Sequence, residues 1–103
     1  MLQYKIDFDN LEWVSSAAGW KHKFVDQNNV RLRLVEYSAH MKPHWCEKGH
    51  YGYIISGEME IEYPDGKFIY KPGDGIFIPA GADHRHKGKV LSDKVLIFFT
   101  EYI

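Results

Sequence analysis

Apolar residues return at every second position along much of this chain, and that spacing commits it to strands. Leu2, Tyr4, Ile6 and Phe8 alternate with polar or charged neighbours, and Val30-Arg31-Leu32-Arg33-Leu34-Val35-Glu36-Tyr37 repeats the pattern. Side chains two positions apart share one face of a strand, so each segment can bury one face and wet the other. Ile61 to Tyr70 reads as a hairpin, with Pro64, Asp65 and Gly66 at positions a tight turn favours. The apolar, β-rich run Lys94-Val95-Leu96-Ile97-Phe98-Phe99 predicts a strand buried on both faces. The only segment with helical spacing is Asn10 to Ala18, where Asn10 would cap and Leu11, Val14 and Ala18 would share a face. Short strands punctuated by Gly and Pro predict a sandwich or jelly-roll barrel.

Within that framework, residues 38–88 carry the chemistry. His44 and Cys46 are two residues apart, so one strand aims both at the same cavity. A turn at Glu47-Lys48-Gly49 lets the chain double back and present His50 from a neighbouring strand. His84 follows a Pro/Gly-marked bend and arrives from a third strand. Three imidazoles and a thiol directed at one point form the donor inventory of a metal site.

These residues also carry a family resemblance. The first cupin motif runs Gly, five residues, His-x-His, three or four residues, Glu, six residues, Gly. Ser38 stands at its first Gly, His44 and Cys46 at the His-x-His pair, His50 at the Glu and Gly57 at the closing Gly. In the second motif Gly73, Pro79, Gly81 and His84 match, and Gly88 replaces the final Asn. The chain therefore resembles a small single-domain cupin. That resemblance implies an all-β jelly roll of antiparallel strands with little helix, spanning residues 1–103 as one domain. It also implies one divalent metal ion, whether zinc, iron, nickel or manganese, with His44, Cys46, His50 and His84 as its ligands. His50 in place of Glu keeps a donor and removes a negative charge. Cys46 admits two roles: a soft thiolate donor that favours zinc over manganese, or a small buried hydrophobe. His86 shares the face of His84 and reads as a solvated group near the barrel mouth, while His22 and His40 lie outside the motifs.

Composition narrows the partners. A chain of 103 residues is the size of one domain, and 45% hydrophobic and 16% aromatic residues make it globular. A net charge of -1 offers no electrostatic case for nucleic acid or an anionic membrane. No apolar run approaches the roughly 20 residues that span a bilayer. The N-terminal residues lack the apolar core of a signal peptide, and a single cysteine forms no internal disulfide, so a cytoplasmic location is expected. Tyr51, Tyr53 and Ile55 share the face opposite His50, and so many aromatics on strand faces predict a homodimer. Arg31 and Arg33 read either as cavity-facing anion binders or as solvated outer-face residues, the commoner arrangement.

Three functions fit such a chain. The first is a metalloenzyme of oxygenase, isomerase or lyase type, acting on a small oxygen-rich metabolite. The second is a non-catalytic module that binds or senses a small molecule or metal. The third is a metal-free, epimerase-like protein with His as base. Fold alone does not choose among them.

Overall fold

The computed structural model describes residues 1–103. Ten strands follow one another: β1 (Val14–Ser16), β2 (Trp20–Gln27), β3 (Val30–Ser38), β4 (Trp45–Cys46), β5 (His50–Ser56), β6 (Met59–Tyr63), β7 (Gly66–Tyr70), β8 (Gly75–Ile78), β9 (His86–Val90) and β10 (Lys94–Tyr102). They form two antiparallel sheets. The larger has the order β1-β2-β3-β10-β5-β8 and the smaller β4-β9-β6-β7. There is no α-helix, only 3-10 turns at Phe8–Asn10 and Ala82–His84.

Turn chemistry sets the registers. Asn28 and Asn29 both adopt positive φ, 53° and 61°, and close β2 onto β3 with Gln27 opposite Val30. A two-residue turn of this kind matches the twist of the strands, and Asn tolerates the left-handed region better than most residues. The expected hairpin at Pro64-Asp65 also forms, with Tyr63 opposite Gly66 in the β6–β7 pair.

The inner faces of the two sheets meet in an aliphatic core of Val35, Ile54, Ile76, Ile78, Val95 and Ile97, closed from the smaller sheet by Met59, Ile61 and Val90. Val35, Ile54, Val95 and Ile97 are wholly excluded from solvent. Along β10 the buried residues are Val95, Ile97 and Phe99, while Leu96 and Phe98 are half-buried. This corrects the expectation of a strand buried on both faces: its outer face is covered only in part, as where Phe8 packs edge-on to Phe98 at 5.8 Å.

Two further expectations are corrected at the N-terminus. Leu2 to Phe8 forms no strand, and Asn10 to Ala18 forms no helix but leads into β1. Alternation in Leu2–Phe8 had no neighbouring strand edge to pair with, since β1 takes the free edge of β2. The segment instead lies over the sheet, tied down by Lys23 Nζ donating to the Phe8 carbonyl at 2.9 Å and by Lys21 and Lys23 over the Trp13 ring.

Gly52 is demanded by packing. A Cβ there would collide with the Phe98 carbonyl oxygen and come within 2.7 Å of Phe99 Cδ1. Its absence lets β5 and β10 approach closely and lets the Phe99 ring slide beneath His50. Gly52→Ala is therefore expected to destabilise the fold by about 1–3 kcal/mol or more, the range for overpacking a closed core. Chemical denaturation of both proteins measures it, and a change below about 0.5 kcal/mol would show that the strands part freely at this point.

Candidate metal centre

At one end of the sandwich the inner faces change from aliphatic to polar. On β10 the sequence of inward residues is Val95, Ile97, Phe99, Glu101, and on the paired β3 it is Tyr37, Val35, Arg33, Arg31. Cys46 on β4 faces His86 on β9 across an antiparallel pair. His50 begins β5 in the other sheet, where its ring lies 4.7 Å from that of Phe99 and 5.2 Å from that of His86. One donor atom each from Cys46, His50 and His86 lies within 4.8 Å of the others. His86 is 6% exposed, the His50 side chain 11%, and Cys46 is half-buried.

Hydrogen bonding fixes how the two imidazoles present themselves. His50 Nδ1 lies 2.6 Å from Glu101 Oε2, and His86 Nδ1 lies 3.1 Å from the carbonyl oxygen of His84. Both partners are acceptors, so both Nδ1 atoms carry the proton, an assignment made from the network. In the neutral form of each ring the lone pair is then on Nε2. Two imidazoles and a thiol with donor atoms this close together are a group that a cation can complete. The residues present fit a divalent metal ion: two imidazoles oriented by hydrogen bonds to their far nitrogens, plus one thiol.

Charges around the group agree. Burial lowers the His86 pKa, and neighbouring His50 and His44 lower it further against the opposing pull of the His84 carbonyl, so the ring is neutral and free to ligate. Burial alone would raise the Glu101 pKa, but hydrogen bonds from His50 and Arg33 and the charge of Arg33 outweigh it and hold the carboxyl at about 2. Arg33 donates Nε and Nη2 to that carboxylate at 2.9 and 2.8 Å.

The residues expected from the sequence are thus only partly gathered. Cys46 and His50 meet. They do so from opposite sheets, not from neighbouring strands, because the chain crosses between layers over residues 47–49. His44 precedes β4, is exposed, and lines the same cavity. His84 is not brought to the group: it ends the Ala82–His84 turn, is exposed, and lines a separate cleft with Tyr63, Tyr70 and Phe77. His86, expected at the solvated mouth, takes the buried place. The turn delays the start of β9, so the first inward-facing residue of that strand lies two positions beyond the motif histidine. The available signal was that His84 and His86 have the same parity.

The donors open onto a cavity of about 690 Å³, which extends past Trp20, Tyr37 and Met41 to Tyr102 and Ile103. That is the size of a small-molecule site. The family model described as "Cupin domain" matches residues 31–99. This chain belongs to the cupin family. Its fold is shared with solved structures at low identity. An RmlC-like cupin of Shewanella frigidimarina is 15% identical, with a TM-score of 0.76 over 98% of this chain and 91% of that one. The polyketide cyclase RemF of Streptomyces resistomycificus is 19% identical, with a TM-score of 0.76 over 98% and 80%. A cupin domain of Schizosaccharomyces pombe is 13% identical, with a TM-score of 0.76 over 96% and 73%. No curated protein matches the chain.

For this cupin, the held-down carboxyl gives a signed pH dependence. Because the folded pKa of Glu101, about 2, lies below its unfolded value near 4.3, its stabilisation is complete above the unfolded value. It disappears as pH falls from there through the folded value. The loss is on the order of 2–3 kcal/mol for a side chain only 12% exposed. Denaturation midpoints of wild type and Glu101→Gln between pH 7 and pH 2.5 should converge as pH falls. A gap that stays constant would assign the stability to other carboxyls.

Proposed function

We propose that this cupin holds one divalent metal ion on Cys46, His50 and His86 and presents it to a small molecule in the adjoining cavity. The observation that carries the reading is the convergence of one donor atom each from Cys46, His50 and His86 within 4.8 Å, with the Nδ1 atoms of both imidazoles held by acceptors. His44 lines the same cavity outside the three-donor group; His84, in a different cleft, is left out. The thiolate favours zinc over harder ions such as manganese. When bound, the ion polarises an oxygen-bearing ligand in its open position. The chain's own residues contribute orientation and exclusion of water: Glu101 keeps His50 in one tautomer, Arg33 keeps Glu101 in place, and Phe99 closes the space beneath the ring.

Among the solved structures of this fold is a polyketide cyclase, and the fold by itself does not choose between catalytic and binding roles. The open side of the three-donor set supports the metalloenzyme reading over a closed structural site, which would use four protein ligands. The homodimer is likewise a proposal: Tyr53, Ile55 and Phe77 lie exposed on the outer face of the larger sheet, and sedimentation at micromolar concentration should give twice the chain mass.

Elemental analysis of untagged protein, followed by titration with zinc and cobalt, tests the metal reading. Binding at one ion per chain is expected, with affinity rising with pH as the thiol and imidazoles lose protons. Cys46→Ser should weaken zinc more than manganese. His86→Ala should cost at least the roughly 10–100-fold that even an outer-sphere change costs, whereas His84→Ala should leave affinity within about twofold. The reverse order for the two histidines, or no binding, would overturn the assignment.

A further inference from the structure

The two arginines that β3 directs into the cavity bear on what the cavity admits. This step rests on the metal reading above and extends it to the class of ligand. Arg33 and Arg31 stand two residues apart on the inner face, with side chains 11% and 30% exposed, so Arg31 is nearer the opening. A cavity built for a multiply charged anion would keep guanidinium donors pointing into its space. Here the donors are already engaged. Besides its two bonds to Glu101, Arg33 points Nη1 at His22 Nδ1, 3.3 Å away. Arg31 donates Nε and Nη2 to Asp26 at 2.7 and 2.9 Å and lies 4.3 Å over the Phe24 ring.

Charge therefore cancels locally. Each arginine has its own carboxylate, and Glu47 and Lys48, adjacent at the rim, oppose one another. Burial and the two arginines hold His22 below its usual pKa, so it adds no charge. With a divalent ion in place, the Cys46 thiolate offsets one of its two positive charges and leaves one. A ligand with a single negative charge at its metal-binding end completes that balance. A second negative charge farther out would be desolvated beside partners that are already paired, which is costly.

We infer that the cavity takes a small molecule with at most one negative charge, at its oxygen-donor end, and an uncharged body extending past Arg31 toward the opening. Dicarboxylates, tricarboxylates and phosphorylated metabolites fall outside that class.

Benzoate and terephthalate test this, because they share a ring and one carboxylate and differ in a second carboxylate at the far end. Titrated into zinc-loaded protein by calorimetry or ligand-observed NMR, benzoate should bind at least about fivefold more tightly, the equivalent of roughly 1 kcal/mol. Asp26→Asn frees Arg31 without touching the metal ligands. It should improve terephthalate binding by about two- to fivefold, the worth of a part-exposed ion pair, and leave benzoate nearly unchanged. Terephthalate binding as well as benzoate to the wild type would overturn the inference, as would failure of both to bind. So would a terephthalate affinity indifferent to Asp26→Asn, which would point to crowding instead of charge. If zinc itself does not bind, the metal reading fails. The ligand class then stands or falls on the metal-free protein, where benzamide must bind more tightly than benzoate.

Discussion

The carboxylate of Glu101 ties together the three strands that form the polar end of this fold. It sits on β10, receives two hydrogen bonds from Arg33 on β3, and receives one from His50 on β5. Those strands are neighbours in the larger sheet, so the network crosses the ladder at the point where aliphatic packing stops. A buried ion pair of this sort adds little net stability against an apolar replacement, because desolvation offsets most of the attraction. Its consequence is specificity of arrangement. Removing the carboxylate would leave Arg33 without its buried partner and His50 free to rotate or change tautomer.

The same sandwich thus has two ends with different duties. At one end Val35, Ile54, Ile97 and their partners fill the space between the sheets, and stability resides there. At the other, the layers separate enough to leave a cavity, and each sheet contributes donors to it: His50 from the larger, Cys46 and His86 from the smaller. A site assembled across two layers depends on their relative placement. Met59, Ile61 and Val90 of the smaller sheet, packed against Val35, Ile54 and Ile97 of the larger, hold that placement. Packing faults in the core should therefore reach the donors, since rigid interiors transmit strain.

Electrostatically the cavity is quiet despite its five ionic side chains. Pairing within the wall keeps the arginines from acting as general anion traps. The field a ligand meets is then dominated by whatever ion the soft donors hold. This explains how a cavity with two inward arginines can nevertheless be lined in large part by apolar residues such as Trp20, Met41 and Ile97.

Much of the architecture was legible in the residues themselves. Alternation located β3, the Pro64-Asp65-Gly66 turn located the β6–β7 hairpin, and the motif glycines and proline pointed to a cupin, because these are local effects of pleat and turn chemistry. That Cys46 and His50 would face one cavity was legible on the same grounds. Local pattern misled where pairing decides: the alternation of Leu2–Phe8 and the helical spacing of Asn10–Ala18 had no partner that would stabilise them, so neither element formed. It also could not separate His84 from His86, since both lie on one face and only the turn at Ala82–His84 determines which enters the cavity. The sequence by itself determined which donor types this protein possesses and that Cys46 and His50 lie on strands. The tertiary structure alone decided which of them meet, that Glu101 orients one of them, and that both arginines are neutralised. Those outcomes depend on contacts between residues as many as 68 positions apart along the chain, which no local pattern encodes.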